Sequence, residues 1–271
     1  MKITRIETIP IRVPLKRDLA IRSGRGGSHA VSPFLLVRVH TDSGIIGAGE
    51  ASCTPRWSGE DQTTGAHLIK TYLEPLLLGE NPIDVEKVSE KFRLAFAGNY
   101  FTRAAVEMAL WDIAGKAAGK PVFELLGGKA RENVRTKWSV SGVEPNRAAE
   151  IARWAVGQGF HAMKVKVGID PESDVQRVQA VREAVGPGVK LGVDANGGWT
   201  PEAAVTTIAR LREFGIYFVE QPVPPEDALV LAEVRKKIHL PVVADESIYT
   251  MRDAIALQHL GAADVFSIYV G

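Results

Sequence analysis

Hydrophobic and polar positions divide the chain into two differently patterned stretches. From residue 160 onward short apolar runs recur, and each ends in charged or amide side chains. Residues 160–163 run into Lys164-Val165-Lys166, residues 189–193 into Asp194-Ala195-Asn196, residues 216–219 into Glu220-Gln221-Pro222, and residues 240–244 into Asp245-Glu246-Ser247. The polar ends lie 28, 26, 25 and 24 residues apart, from Lys166 through Asp194, Glu220 and Asp245 to Tyr269. Each interval holds an amphipathic helical pattern. Residues 201–214, for example, carry Ala204, Ile208, Leu211 and Arg212 at helical spacing behind Thr200-Pro201, a capping residue followed by proline at the first helical position. Runs that are continuously apolar rather than alternating are buried on both faces, as in a parallel sheet. A βα unit repeated every ~25 residues, with polar groups at strand ends, predicts an α/β fold of (β/α)8, TIM-like barrel type. A doubly wound sheet is the competing architecture.

The first stretch is patterned otherwise. Ile9, Ile11, Val13 and Leu15 alternate with other residues, and residues 34–40 and 45–51 flank the turn Thr41-Asp42-Ser43-Gly44, which together predict a strand and a hairpin. Helices are predicted over 61–77, 84–97 and 102–118, with Gly119-Lys120-Pro121 as a stop. Residues 1–125 therefore read as an N-terminal α+β capping domain and 126–271 as the barrel. Within the first stretch, residues 20–32, with Gly24, Gly26 and Gly27, and residues 52–59 are expected to be loops. The glycines do not make a phosphate cradle, because no helix opens directly after them. Barrel strands are expected at 134–140, 162–167, 190–193, 217–219, 242–244 and 265–270. Closure takes eight, so the barrel is expected to be truncated after the sixth strand.

Composition narrows the partners. A chain of 271 residues that is 45% apolar has material for a substantial core. Thirty-three basic and 32 acidic residues leave a net charge of +1, which gives no field to gather nucleic acid or an anionic membrane. One cysteine, Cys53, excludes an internal disulfide and a thiolate metal cluster. No run approaches the ~20 apolar residues of a membrane span, and the first residues lack a signal-peptide core. The expectation is a cytoplasmic protein, a homo-oligomer, whose partner is a small molecule.

Lys164 and Lys166 are two apart on one strand and share a face, as do Asp194 and Asn196. One charge at a strand end is ordinarily solvated, or caps the next helix. Three carboxylates and two lysines on successive strand ends are different, because buried charge is costly unless its members serve one another or a metal. Asp194, Glu220 and Asp245 form an all-oxygen set suited to a hard cation, Mg2+. A lysine beside such a cation and a second lysine is expected to have a lowered pKa and to act as a base near pH 7. Metal and amine together are equipment for removing a proton from the carbon next to a carboxylate.

The motifs Lys164-Val165-Lys166, Asp194-Ala195-Asn196, Glu220-Gln221-Pro222 and Ala244-Asp245-Glu246-Ser247 recur in a known context. So do residues 109–116, Ala-Leu-Trp-Asp-Ile-Ala-Gly-Lys, and Leu125-Leu126-Gly127-Gly128. Over essentially its whole length the chain resembles the enolase superfamily, within it the muconate lactonizing enzyme and mandelate racemase-like members. The resemblance implies that Asp194, Glu220 and Asp245 bind Mg2+, that Lys166 is the acid/base and that Lys164 assists it. It also implies that an enediolate forms from a small carboxylate and that two N-terminal segments close over the substrate. Arg22 and Arg25 in the first segment, Arg56 and Trp57 in the second, and Asn196 at the strand end are the candidate substrate contacts. The implied activity is that of an isomerase, either a cycloisomerase or a racemase/epimerase. A dehydratase of a hydroxy acid or acid sugar is the alternative, and a non-catalytic metal-binding barrel the alternative from another class. One position departs from the pattern: Tyr269 stands where the muconate-lactonizing branch usually has a second catalytic lysine. A tyrosine, with a pKa ordinarily near ~10, is mostly protonated at pH 7, so it predicts a strong base on one face of the substrate only.

Overall fold

The computed structural model describes residues 1–16 and 20–270. Eleven strands run through them in chain order: β1 (Ile3–Pro14), β2 (Ile21–Ser23), β3 (Gly27–His29), β4 (Val31–Thr41), β5 (Ile46–Ser52), β6 (Trp138–Val140), β7 (Ala162–Lys166), β8 (Lys190–Asp194), β9 (Ile216–Glu220), β10 (Val242–Ala244) and β11 (Val265–Phe266). The described residues form two compact units, one made of residues 1–15, 31–134 and 270, the other of residues 16, 20–30 and 135–269.

The first unit holds the antiparallel sheet β1-β4-β5 with β4 in the centre. Leu35, Val37 and Val39 on β4 are fully buried and alternate with more exposed residues, the signature of a sheet covered on one face. The helix Tyr100–Ala118 covers that face through Ala105, Val106, Ala109, Leu110 and Ile113. In β1 the alternating Ile9, Ile11 and Val13 do not mark the buried side. Ile3 and Ile6 are the buried residues, and a register irregularity between Ile3 and Arg5 brings both inward. The helix expected over 61–77 is present in three joined pieces, Gln62–Leu68, a π turn Ile69–Leu73 and Glu74–Leu77.

In the second unit the order β6-β7-β8-β9-β10-β11 follows the sequence without reversal, and every pairing is parallel. A doubly wound sheet reverses its strand order at a switch point, so this is the barrel type. Helices Pro145–Gly157, Pro171–Val185, Pro201–Leu211, Ala228–Lys237 and Met251–Leu260 connect successive strands. Their starts follow local chemistry: Asp170 accepts from the Ser173 N–H, Thr200 from Ala203 and Asp227 from Leu229, while Thr250 and Asp253 form a capping box. The helix expected from residue 201 buries Ala204, Ile208 and Leu211 as predicted, and Arg212 turns instead into a short 3-10 segment.

Two strand extents differ from expectation for one reason. The first barrel strand starts at Trp138 rather than 134, because its partner β7 meets it only from Met163 onward; the last covers Val265 and Phe266 rather than 265–270, because β10 offers partners to these two alone. The segment expected as a loop over 20–32 contains the two-stranded hairpin β2-β3, with a 3-10 turn, Gly24–Gly26, at its tip. Residues 55–58, also expected as loop, form the short helix Pro55–Ser58.

Candidate active site

Register brings the polar strand ends together. Lys166 pairs with Asp194 across β7 and β8, and Asp194 with Glu220 across β8 and β9. Lys164 Nζ lies 2.8 Å from Asp194 Oδ2 and bonds Glu220 Oε1 as well. Lys166 Nζ donates to Asp194 Oδ2 and to Asn196 Oδ1, each at 2.7 Å. Asn196 Nδ2 in turn donates to Glu246 Oε1 at 2.7 Å. Asp194 is fully buried, Glu220 is 2% exposed, and the two lysine side chains are 11–13% exposed. Buried charge at this density persists only because each member has an opposite partner.

The protonation pattern follows. Burial alone would raise the Asp194 carboxyl, but the Lys166 and Lys164 ammoniums hold it well below the usual carboxylate range. Glu220 is pushed up by burial and by the neighbouring Asp194 charge. Burial pulls the Lys164 ammonium down, yet Asp194 and Glu220 outweigh it and hold the group above its ordinary value. The lowering expected of a lysine beside a cation and a second lysine concerns the metal-bound site; here the charges nearest Lys164 are carboxylates. Burial raises Asp245 also, and raises Glu246 to about 7.

Two non-glycine residues at these strand ends sit in the left-handed region, Asn196 at φ 45° and Gln221 at φ 36°. Such conformations cost ~1–3 kcal/mol and are kept where surrounding structure dictates them. Gln221 is fully buried, and its Oε1 accepts from the backbone N–H groups of Asp245 and Ser247, which sets the course of the chain past β10.

Carboxylates from three neighbouring strands with amide oxygen nearby are the donor chemistry of a hard divalent cation, and the Glu246 Oε2, buried without a hydrogen-bond partner, adds unused acceptor capacity beside them. Among the described residues no three acids are gathered into a ready cage; Lys164 bridges two of the carboxylates. The donor set fits Mg2+ in kind, and holding it would require the Lys164 ammonium to yield its place between Asp194 and Glu220.

The chain matches the family model for the mandelate racemase/muconate lactonizing enzyme N-terminal domain over residues 6–127, and the enolase C-terminal domain-like model over residues 146–271. The chain belongs to this family. N-succinyl-L-Arg/Lys racemase of Bacillus cereus is 35% identical over 269 residues, 99% of this chain and 72% of that protein; its crystal structure superposes with a TM-score of 0.94 at 34% identity over 98% of this chain and 72% of that one. L-Ala-D/L-Glu epimerase of Bacillus subtilis is 37% identical over 273 residues, 99% of this chain and 73% of that protein. A dipeptide epimerase from Cytophaga hutchinsonii, crystallised with Mg and the dipeptide D-Ala-L-Val, gives a TM-score of 0.93 at 34% identity over 98% of this chain and 71% of that one. These relatives are racemases and epimerases of the enolase superfamily, and the chain is an enzyme of that isomerase class.

The remaining sequence candidates are distributed as follows. Arg22 and Arg25 lie on the β2-β3 hairpin, which the second unit holds through Ser141: its Oγ accepts from the Arg22 N–H at 2.8 Å and donates to the Ala20 carbonyl at 3.0 Å. Gly24 at the hairpin tip is required by close approach, since a Cβ there would stand 2.0 Å from the Ala195 carbonyl oxygen. Arg25 Nη2 pairs with Glu226 at 2.9 Å on the segment after β9. Arg56 and Trp57 belong to the first unit, Arg56 exposed and Trp57 stacked on Phe101 with centroids 5.0 Å apart. Asp245 lies one residue beyond β10, its carboxylate hydrogen-bonded to Ser267; Tyr269 follows β11 and is 55% exposed.

Sequence reasoning missed Glu246 and Lys137. Glu246 was visible as a second acid next to Asp245, but its bond to Asn196 is a matter of three dimensions. Lys137 reaches to 3.6 Å from Glu220 Oε2 and lies 5.3 Å from the centre of the Phe218 ring. Its position ahead of β6 gave no signal.

Proposed function

We propose that this isomerase removes and returns the proton α to the carboxylate of a small acid, with Lys166 as the base. The observation that carries the reading is the Lys166 amine held at 2.7 Å by both Asp194 and Asn196 on buried strand ends. Asn196 and Asp194 orient the amine, and Lys164 adds positive charge beside the reacting centre. Asp194, Glu220 and Asp245 are the residues that would hold Mg2+, which when bound supplies positive charge for the substrate carboxylate as its α-carbon becomes electron-rich. Arg22 and Arg25, on the β2-β3 hairpin of the same unit, are assigned to the far end of the substrate, where cations suit an anionic or polar group. The names of the relatives favour an N-acylated α-amino carboxylate, either an N-succinyl amino acid or a dipeptide.

Tyr269 favours a second reading of the same half-reaction. With an amine on one face of the α-carbon and a phenol on the other, exchange is one-sided, and the phenol donates a hydrogen bond to a departing oxygen in place of accepting a proton. The two readings separate in deuterated water. Incubating the enzyme and Mg2+ with each α-enantiomer of N-succinyl-arginine and of Ala-Glu, and following the α-proton by NMR, gives label from both enantiomers for a two-sided isomerase and from one enantiomer for the one-sided enzyme. No label from any carboxylate of such a panel would reject Lys166 as an α-proton base.

A further inference from the structure

Behind the strand ends lies a buried charge pair that touches none of the polar side chains described above. Asp174 is fully buried in the helix Pro171–Val185, and Arg177, one turn on, is 3% exposed; Arg177 Nη1 meets Asp174 Oδ1 at 2.7 Å. Every other side-chain bond of the pair goes to the last residue of a barrel strand or to the segment that follows one. Asp174 Oδ2 accepts from the Gly168 N–H at 2.8 Å, the Ile169 N–H at 3.2 Å and the Trp199 indole N–H at 3.1 Å. Arg177 Nε donates to the Val143 carbonyl at 2.6 Å, and its Nη1 to the carbonyl of Lys166 itself at 3.2 Å. The pair thus ties together the turns that follow β6, β7 and β8.

Stability alone is a weak reason for such a pair, because buried ion pairs replaced by packed apolar residues often leave a protein as stable or more so. What apolar residues cannot supply is direction. Four donors around one carboxylate and a planar guanidinium fork spanning two carbonyls and that carboxylate fix peptide planes, not just volume. The peptides fixed include the Lys166 carbonyl and the N–H groups two and three residues beyond it. The turn there is crowded: Gly168 has φ +80°, and a Cβ on it would stand 2.2 Å from the Ala195 carbonyl oxygen, on the turn that carries Asn196. The Lys166 amine sits at the end of a lever about 6 Å long, so a tilt of roughly 10° in its backbone moves it by about 1 Å. A displacement of that size is enough to lower a rate by about 100-fold.

We infer that Asp174 and Arg177 are positioning residues for the Lys166 amine, holding the backbone from which it is presented and coupling that backbone to the turn bearing Asn196. The inference rests on Lys166 as the base, so the test has one arm that reads turnover and one that does not. In the first, Arg177→Met, Arg177→Lys and Trp199→Phe are compared with the parent for solvent-deuterium exchange into a carboxylate that the parent labels. In Arg177→Met kcat falls about 100-fold while KM stays within threefold. Arg177→Lys, which restores the charge beside Asp174 but not the fork, recovers part of the loss. Trp199→Phe, which removes one N–H from Asp174, loses about three- to tenfold. In the second arm the rate of reductive methylation at Lys166 is read by mass spectrometry against exposed Lys236. It shifts at least threefold in Arg177→Met with Lys236 unchanged. If Arg177→Met does not fold, as judged by circular dichroism, Trp199→Phe decides both arms. A folded variant with kcat and Lys166 labelling within twofold of the parent overturns the inference, as does a kcat loss matched by an equal rise in KM. If the parent labels no carboxylate, the base assignment has failed and the methylation arm alone judges the positioning.

Discussion

Two buried carboxylate settings, one in each unit, satisfy their charge in opposite ways. In the first, Glu60 is 2% exposed, and its carboxylate accepts from the backbone N–H groups of Phe101 and Thr102 at 3.0 and 2.8 Å and from the Thr102 hydroxyl at 2.6 Å. It serves as the cap that the helix Tyr100–Ala118 lacks from its own Asn99, and the positive end of the helix dipole stabilises it. In the second unit Asp194 and Glu220 are buried as deeply, yet their partners are the ammoniums of neighbouring strands, and the two acids stand against each other. A carboxylate satisfied by fixed backbone dipoles has one stable state. Acids and amines packed together exchange protons and partners, which is what chemistry needs. Depth of burial does not separate structure from function here; the nature of the partner does.

That contrast can be broken experimentally, and the largest effect should come from Lys166→Met. It keeps most of the bulk and should lower α-proton exchange at least ~10³-fold with the folded state intact by circular dichroism, because the amine and not the volume is the reagent. Glu60→Ala should do the reverse. Leaving two buried N–H groups unpaired should cost about 3 kcal/mol of stability in urea unfolding, with exchange per folded molecule within about threefold of the parent. Loss of catalysis out of proportion to unfolding would place Glu60 on the chemical side of the division.

Adding Mg2+ to metal-stripped protein should sharpen the contrast by stabilising the second unit. At 100 times the dissociation constant the linkage gain is about 2.7 kcal/mol, and Asp194→Asn should abolish it in a thermal melt. An equal rise in melting temperature for parent and variant would move the cation elsewhere. The mildest test is Cys53, 2% exposed in the first unit, whose thiol burial pushes up to about 11 from 9.0. A raised folded value means that the stability tied to the neutral thiol is present below pH 9 and is lost as pH rises through about 11. At pH 8 native Cys53 should react with iodoacetamide about 100-fold more slowly than the unfolded chain; comparable rates would show that this core opens readily.

How much of this was legible in the chain depends on whether one strand or several decide the feature. The strand-end series from Lys166 to Asp245 could be read because each apolar run and its polar end are contiguous, and the repeat interval supplies the third dimension. Helix Pro201–Leu211 could be read because its cap and its buried face are local. Strand limits at 138 and 266 could not, since the neighbour's length sets them. The β2-β3 hairpin was hidden because glycine-rich sequence looks like loop until Ser141 and Ala195 provide a surface for it. Asp174 and Arg177 look like any acid and base one helical turn apart, and only the segments after three different strands, meeting around them, give them a task. At Lys164 the charge state follows from the carboxylates that the register brings beside it, which no single strand discloses.

The hairpin also sets a clock. Arg22 bonds to Ser141, 119 residues later in the chain, and Arg25 to Glu226, 201 residues later. At a synthesis rate of roughly 5–20 residues per second, β2 and β3 wait on the order of 10 s for the first of these partners to be made. During that interval β1 and β4, on either side, already have each other to pair with. The newborn chain therefore carries an unanchored excursion between two strands of a sheet that can form without it.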